Sequence, residues 1–215
     1  MNKAHVYLLV GQDRLSEELV LLNIRQLPEV RRERCIRYQR VSDRKNCVLA
    51  YLLLLAALQE RYGISSPVEL IYNKYGKPYL KDYPHIFFNL SHCKTGIACA
   101  VADFEIGVDV QEARAFNLKI AEKACCDSEL EELKASGDPS WLFCKMWTEK
   151  ESLCKAMGVS LASVLCEGRK TKWSAKGQSL HWDFGILHLA LSSKDAYCDS
   201  GIESCLDSIC KITVL

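Results

Sequence analysis

The 215-residue sequence lacks an apolar run long enough to cross a bilayer, which takes ~20 residues. Its longest apolar run, Val48–Leu58, lies between charged residues and is followed by Gly63, so it predicts a buried core helix. The patch Val6–Val10 is shorter than the apolar region of an export signal, and no small-residue cleavage site follows it. We therefore expect a cytoplasmic protein without membrane contact.

The sequence also lacks an excess of either charge. Its formal net charge is +1, which argues against a protein that coats nucleic acid. A local basic pocket for a phosphorylated small molecule is still compatible with this balance. Because 49% of the residues are apolar, the chain can bury a sizeable core, as one large domain or two small ones.

Clustered cysteines and histidines of the kind that bind zinc are absent as well. None of the 12 cysteines forms a Cys-x-x-Cys pair, and the 5 histidines are scattered. Cys47, Cys99 and Cys154 lie in apolar or periodic segments, where a free cysteine behaves as a small hydrophobic residue. We expect reduced thiols and no structural zinc site.

No linker rich in proline, glycine or serine divides the chain, but its two parts follow a similar order. The first part reads as a helix, a turn and an apolar strand, at about 43–62, 74–80 and 96–102. The second part repeats this order at about 147–157, 176–180 and 185–191. The pattern predicts an α+β fold of two similar halves, residues 1–104 and 105–215, which meet at a shared cleft.

The most informative segment that is present is Trp147-Thr-Glu-Lys-Glu-Ser-Leu-Cys-Lys155. At 3.6 residues per turn, Trp147, Glu151 and Lys155 share one stripe of a helix that stops at Gly158. Taken alone, Glu151 and Lys155 could form an ordinary surface ion pair worth ~0.3–0.5 kcal/mol. A functional role for the pair is favoured by a second segment, which also carries polar residues in apolar surroundings.

That second segment is the apolar stretch 87–111. In its last strand, apolar residues alternate with Gly107, Asp109 and Gln111, which puts Asp109 and Gln111 on one face, ~6.6 Å apart. An acidic residue inside such a strand is locally disfavoured, and violations of this kind are expected at functional sites. The alternative is an aspartate exposed at a strand end.

Together the two segments indicate a site for a metal and phosphates. Asp109 and Glu151 offer the hard oxygen ligands that Mg²⁺ prefers, usually together with substrate phosphates and waters. Lys155 could neutralise one phosphate, and His92 with Lys77 could hold another. This chemistry is typical of phosphoryl-type transfer.

Three segments carry a resemblance to a known family: Asn89-Leu-Ser-His92, Gly107-Val-Asp-Val-Gln111 and Trp147–Lys155. In order and spacing they resemble the three motifs of the 4′-phosphopantetheinyl transferase superfamily. The chain is similar to the surfactin-synthetase-activating type, a pseudo-dimeric monomer, over about residues 28–155. The resemblance implies two α+β halves in a pseudo-twofold arrangement, the first contacting the nucleotide of coenzyme A and the second carrying the metal site and catalytic helix.

The resemblance also implies an activity and residue roles. The enzyme would transfer the 4′-phosphopantetheine arm of coenzyme A to a serine of an apo acyl or peptidyl carrier protein, with Mg²⁺, and release adenosine 3′,5′-bisphosphate. Implied at the metal are Asp109, Glu151 and Gln111. Implied as catalytic groups are Glu151 or its rival Glu129 as the base, and Lys155. Implied at coenzyme A are Lys77, Ser91, His92, Arg31, Arg34 and Lys155.

Two positions depart from the family pattern. Gln111 stands where a third acid is usual, so we expect weaker Mg²⁺ binding than at a three-carboxylate site. Asn46 stands where an arginine usually meets the 3′-phosphate of coenzyme A. Either Arg44 or Lys45 substitutes for it, or the phosphate is held less tightly.

Two other functions remain open: a Mg²⁺-dependent nucleotide pyrophosphate hydrolase, and a catalytically silent protein that binds coenzyme A or docks a carrier. Single residues have structural alternatives too. Ser91 and His92 could cap a turn, and Lys77 could be a solvated turn residue. Arg31 and Arg34 could be a charged helix start.

Overall fold

Helices and strands are mixed along the chain. The computed structural model describes residues 4–161, 178–193 and 206–213. The strands are β1 (Ala4–Val10), β2 (Leu70–Tyr72), β3 (Pro78–Leu80), β4 (Phe87–His92), β5 (Gly96–Ala102), β6 (Gly107–Glu112), β7 (Gln178–Asp183), β8 (Leu187–Ser193) and β9 (Leu206–Thr213). The α-helices are α1 (Glu17–Leu21), α2 (Glu29–Arg37), α3 (Val41–Tyr62), α4 (Leu118–Ala124), α5 (Asp127–Ala135) and α6 (Pro139–Met157).

The strands form two main sheets and a small hairpin. One sheet has the order β4-β5-β1-β9, in which only β9 runs parallel to its neighbour. The other is the antiparallel sheet β6-β8-β7, and β2 pairs with β3 alone. This confirms the predicted α+β class. The pseudo-twofold relation stays a prediction. Strand β9, the last one that the structure describes, pairs with β1 in the first sheet.

Helix α3 fills the core on one side of the first sheet. Its apolar run buries Tyr51, Leu54 and Leu58 completely, against a group that includes Phe88 and Ile97. The helix ends where it was predicted to end, at a glycine in the left-handed region (Gly63, φ 68°). The apolar run is therefore a core helix. No helix in the described ranges is both long and apolar enough to span a membrane.

A second core lies between the two sheets. Strand β5 is buried on both faces, and the face turned away from α3 carries only the small side chains Ala98, Ala100 and Ala102. These pack against Val108 and Val110 of β6. The small residues leave room for the second sheet to lie close to the first, and the alternation along β6 turns Asp109 to the opposite face.

That opposite face of β6 packs against α6, and Gly107 sets the distance. A β-carbon added at Gly107 would lie 2.0 Å from the carbonyl oxygen of Ser152 and 2.3 Å from the amide nitrogen of Ala156. Real β-carbons do not approach backbone atoms so closely, so only glycine allows this contact. Helix α6 itself starts earlier than the predicted 147, at an N-cap in which the Asp138 side chain accepts from Trp141 N at 3.0 Å.

The N-terminal half of α6 meets β7 and β8 through an aromatic cluster. Trp141 packs edge-on to His181 and His188, with ring centroids 6.0 and 5.8 Å apart, and its indole nitrogen donates to Asp183 at 2.7 Å. The two imidazoles share a hydrogen bond of 3.1 Å. Burial, followed by the charges of His188 and Lys145, lowers the pKa of His181 from 6.5 to about 4.

Eight cysteines in the described ranges are free thiols, as predicted. They are Cys35, Cys47, Cys93, Cys99, Cys125, Cys126, Cys144 and Cys154. Of the turn predicted near residues 176–180, residues 176–177 lie outside the described residues, and residues 178–180 belong to strand β7 and not to a turn.

Gly107→Ala should separate α6 from β6. We expect a loss of roughly 1–3 kcal/mol in the free energy of unfolding, which is typical of an overpacked interior. Chemical denaturation of both proteins measures it. Gly137→Ala is the matched control, because a β-carbon there meets nothing within 4 Å. Equal stability of Gly107→Ala and wild type would contradict the close packing.

The histidine pair should make stability fall in acid. Native His181 stays neutral down to about pH 4, whereas the unfolded chain takes up this proton near pH 6.5, so protons favour unfolding between these values. His181→Gln should recover roughly 1–3 kcal/mol at pH 4.5, since one pKa unit corresponds to about 1.4 kcal/mol. Denaturation at pH 7.5 and 4.5 tests this, with the exposed His85 replaced as control. An equal loss of unfolding free energy between pH 7.5 and pH 4.5 in wild type, His181→Gln and the His85 variant would contradict this prediction.

Candidate active site

Asp109 is the centre of the polar groups that β6 and α6 bring together. Its side chain is fully buried, at 0% exposure. One carboxylate oxygen accepts from Ser91 Oγ at 2.6 Å and from Lys155 Nζ at 2.5 Å, and the other accepts from Gln111 Nε2 at 2.9 Å. These donors come from β4, α6 and β6, so Asp109 joins three elements that are distant in sequence.

Glu151 lies one turn before Lys155 on α6 and approaches Asp109. Burial, and then the negative charge of Asp109, raise the pKa of Glu151, while Lys155 and a hydrogen bond from Trp147 act in the opposite direction. The predicted stripe of Trp147, Glu151 and Lys155 is confirmed. Trp147 also packs against Phe143, with ring centroids 6.0 Å apart. Two carboxylates held together in this way attract a cation.

The donor set suits a hard divalent cation. Asp109 and Glu151 supply two adjacent carboxylates, and Mg²⁺ in proteins typically takes one or two together with phosphate oxygens and waters. Within the described ranges, no three histidine, cysteine, aspartate or glutamate side chains gather into a metal-binding group. The third predicted ligand, Gln111, is a neutral amide whose nitrogen faces Asp109. A half-turn of this amide would present its oxygen instead.

A cationic cavity of about 270 Å³ adjoins this acidic pair. It lies between α2, α3, the turn 73–77, β4 and the end of α6. Its lining includes five of the predicted ligand-binding residues: Arg31, Arg34, Lys77, His92 and Lys155. Lys155 therefore connects the cavity to Asp109. Residues of α2, β4 and the end of α6, which are far apart in the chain, therefore line one cavity.

The two arginines of α2 are held against aromatic rings. The guanidinium of Arg31 is buried over Tyr51 and donates to the carbonyl of Cys47 at 3.2 Å. Arg34 is exposed and lies over Tyr72, 5.8 Å from the ring centroid. Its charge is thus available at the rim of the cavity. Cation–π contacts of this kind fix a guanidinium while leaving its hydrogen-bond donors free.

Ser91 and His92 point to different parts of the site because neighbours on a strand alternate. Ser91 is buried, and its hydroxyl also accepts from Lys155 at 2.8 Å. His92 lies on the cavity side. Desolvation there, and then the positive charge of Lys155, lower the pKa of the imidazole. Ser91 thus contacts Asp109, and its predicted contact with the nucleotide stays a prediction.

Lys77 and Glu129 are used elsewhere in the structure. Lys77 lines the cavity, but its ammonium pairs with Glu105 and with two backbone carbonyls, so the predicted phosphate contact is not supported. Glu129 caps α5 by accepting from Cys126 N at 2.9 Å and pairs with Lys150 at 2.6 Å, both buried. These contacts hold Glu129 to α5 and to Lys150 of α6 and not to Asp109 or the cavity, which argues against Glu129 as the base.

The neighbourhood of Asn46 does not supply a substitute for the expected arginine. Asn46 is buried. Arg44 donates to the carbonyl of Tyr38 at 2.8 Å, and Lys45 donates to the carbonyl of Leu15 at 3.2 Å. Neither lines the cavity. Arg31 and Arg34 are the cations that this side of the cavity offers.

Sequence reasoning gave no role to Asn89, which positions β6. The amide oxygen of Asn89 accepts from Val108 N at 3.0 Å, and the hydroxyl of Ser91 accepts from Val110 N at 3.3 Å. Two side chains of β4 thus take the place of a partner strand along the edge of β6. In the sequence, the two polar residues Asn89 and Ser91, two positions apart inside an apolar strand, are the pattern that could have indicated this role.

Two adjacent carboxylates that a cation can share, beside a pocket with several positive side chains, form a site suited to a phosphorylated ligand. A sequence model of the 4′-phosphopantetheinyl transferase superfamily matches residues 105–200, which contain Asp109, Gln111, Glu151 and Lys155. A 4′-phosphopantetheinyl transferase of Bacillus subtilis is 29% identical over 138 residues, 63% of this chain and 62% of the relative. The gsp enzyme of Aneurinibacillus migulanus is 32% identical over 126 residues, 57% of this chain and 52% of its own.

A putative 4′-phosphopantetheinyl transferase of Synechocystis is 29% identical over 173 residues, 77% of this chain and 70% of the relative. The chain is thus similar to members of the 4′-phosphopantetheinyl transferase superfamily, among them those of the Bacillus type. It spans about 62% of the length of the B. subtilis relatives it matches.

Gln111→Glu should strengthen Mg²⁺ binding, because a third carboxylate replaces an amide beside Asp109. We expect the Mg²⁺ concentration at half-saturation to fall by roughly tenfold, which is equivalent to about 1.4 kcal/mol of binding free energy. Calorimetric titration of both proteins with Mg²⁺, with and without added coenzyme A, measures this. Glu112→Gln, at the next position, is the control. No gain in affinity for Gln111→Glu would count against Gln111 as a neighbour of the cation.

Proposed function

We propose that this protein transfers the 4′-phosphopantetheine arm of coenzyme A to a serine of an apo carrier protein and releases adenosine 3′,5′-bisphosphate. One observation carries the proposal: Asp109, Glu151 and Lys155 converge next to a cationic cavity. The names of the relatives support the same activity. All the residues come from one chain, so we infer that a monomer suffices.

The cavity suits the nucleotide end of coenzyme A. Arg31, Arg34 and His92 offer positive or hydrogen-bonding groups to phosphates. Tyr38 and Tyr72 add aromatic surface against which the adenine ring can pack. Lys155 lies where the cavity meets Asp109, which suits the diphosphate. Mg²⁺ held by Asp109 and Glu151, with Gln111 beside it, would supply positive charge to the diphosphate oxygens.

The reaction forms one bond and breaks one. The serine oxygen of the carrier bonds to the phosphorus that carries the pantetheine arm, and the bond from that phosphorus to the bridging oxygen breaks. The leaving bisphosphate keeps the bridging oxygen and its negative charge, which Lys155 stabilises. The serine proton passes to Glu151, directly or through a water, because a half-buried carboxylate beside Asp109 holds a proton more readily than an exposed one.

The carrier protein would dock beside α4. This helix exposes Leu118 and Ile120, and Ile120 borders a cavity of about 210 Å³ that reaches Gln111 and Trp147. Arg114 lies on the same rim. An apolar patch with a basic edge fits a carrier that presents its serine at a helix start with acidic neighbours.

The two alternative functions use parts of the same site. A nucleotide pyrophosphate hydrolase would admit water in place of the serine. A silent coenzyme A-binding or carrier-docking protein would keep the cavity without turnover, and Gln111 and Asn46 are the departures that favour it. The hydrolase does not explain the exposed apolar face of α4. The silent protein does not explain the convergence of Glu151 and Lys155.

One assay distinguishes the three functions. The purified chain is mixed with coenzyme A, Mg²⁺ and an apo carrier protein, and the carrier mass is followed. A gain of one phosphopantetheine unit is expected. Breakdown of coenzyme A without a change in the carrier would indicate the hydrolase. No reaction, with coenzyme A still bound, would indicate the silent binding protein.

Glu151→Gln should abolish labelling of the carrier while leaving the fold intact. Its melting temperature should equal or exceed that of wild type, because the substitution removes repulsion between the buried carboxylate of Asp109 and the half-buried one of Glu151. The exposed Glu131 changed to glutamine is the control and should label normally. Full labelling by Glu151→Gln would refute the assigned role.

A further inference from the structure

Lys77 is a buried lysine in an otherwise exposed turn. It lies between β2 and β3, next to the exposed Tyr75 and Gly76, yet its residue exposure is only 7%. Its ammonium donates to the Glu105 carboxylate, to the carbonyl of Ile106 at 3.3 Å and to the carbonyl of Ala156 at 2.9 Å. An ammonium has three hydrogens, so these acceptors use every donor.

The two backbone acceptors belong to the elements that build the active site. Ala156 is in the last turn of α6, where carbonyls lack a partner within the helix and a positive charge is favourable. It follows Lys155 directly. Ile106 directly precedes β6, the strand of Asp109. One ammonium therefore ties the end of α6 to the start of β6, at the same place where Gly107 lets them touch.

Glu105 and Tyr79 complete the connection. Glu105 balances the charge of Lys77, and Tyr79 donates to its other carboxylate oxygen at 3.0 Å. Burial, and then the charge of Glu105, raise the pKa of Tyr79 to about 12, which keeps its hydroxyl proton in place. The backbone carbonyl of Glu105 accepts from Ser193 at the end of β8.

Asn73 holds the same turn to the helix from a second point. Its amide nitrogen donates to the carbonyl of Gly158 at 3.0 Å, and its amide oxygen accepts from Lys77 N at 2.9 Å. Gly158 caps α6 with φ 64°, and a β-carbon there would lie 2.9 Å from the Asn73 nitrogen. The β2–β3 turn is thus fitted to the end of α6.

We propose that Lys77, with Glu105, is a positioning residue that sets the register of α6 on β6 and so the distance from Lys155 and Glu151 to Asp109. The proposal rests on the proposed function, because its effect is read in the transfer reaction. Lys77 acts through backbone contacts and does not hold a phosphate. A misplacement of even 1 Å at a reacting group can slow catalysis by about 10²-fold, so loss of the clamp should be visible in turnover.

A phosphate ligand and a positioning residue predict opposite kinetics. Loss of a phosphate ligand weakens binding of coenzyme A and raises its KM. Loss of the clamp moves Lys155 and Glu151 relative to Asp109, while Arg31 and Arg34, which α2 carries on the other side of the cavity, stay in place. The turnover number then falls and the Mg²⁺ requirement rises, with the KM for coenzyme A almost unchanged.

Lys77→Met tests the proposal in carrier labelling with varied coenzyme A and Mg²⁺. We expect kcat to fall by roughly tenfold or more, and the KM for coenzyme A to stay within about twofold. Lys81→Met is the matched control, because Lys81 directly follows β3 of the same hairpin and pairs with the exposed Glu69 at 2.5 Å. A rise of about tenfold in KM with unchanged kcat, or no change in either, would overturn the proposal.

A merely structural lysine would lower the melting temperature without changing kcat of the folded protein, so kinetics are measured well below the melting temperature of each variant. Should Lys77→Met fail to fold, Tyr79→Phe and Glu105→Gln remove single contacts of the same clamp. Each should lower kcat by a smaller factor, again without raising the KM for coenzyme A. Unchanged kcat in both would contradict the clamp.

A second readout does not depend on transfer. Hydrogen exchange of the α6 amides near Ala156 should be faster in Lys77→Met than in wild type or Lys81→Met. If wild type fails to label any carrier, the proposed function fails, and exchange still decides whether Lys77 holds α6. Equal exchange in the three proteins would overturn the clamp even if labelling succeeds.

Discussion

The contact between α6 and β6 around Asp109 is the constraint on which the rest of this structure depends. A buried carboxylate without partners would cost several kcal/mol, and here the ammonium of Lys155 and the hydroxyl of Ser91 compensate it. Lys155 reaches Asp109 only because Gly107 lets the helix backbone touch the strand. Docking of α6, burial of Asp109 and assembly of the site are therefore one event.

Side chains replace backbone pairing wherever the site crosses from one element to another. The two main sheets share no ladder at β6, and Asn89 and Ser91 of β4 bond to its amides instead. Lys77 bonds to backbone carbonyls at the end of α6 and the start of β6. Such contacts are specific in direction, so they fix orientation where packing of apolar side chains alone would permit sliding.

The two sides of the site rest on different evidence. The superfamily match covers residues 105–200, the part that carries the acidic pair and Lys155. The cationic cavity is formed largely by earlier residues, among them Arg31 and His92, and its assignment rests on geometry. The two meet at Lys155, which lines the cavity and bonds to Asp109. With Gln111 in place of an acid, Lys155 offsets a larger share of the remaining negative charge.

The sequence by itself determined what local spacing controls: the core helix α3, the alternation that puts Asp109 and Gln111 on one face of β6, and the helical stripe of Glu151 and Lys155. Only the tertiary structure decided what lies opposite each side chain. Spacing could not reveal that Lys77 turns inward to Glu105 or that Glu129 is held by Lys150. Periodicity fixes the direction of a side chain within its own element, whereas its partner depends on which distant segment packs there.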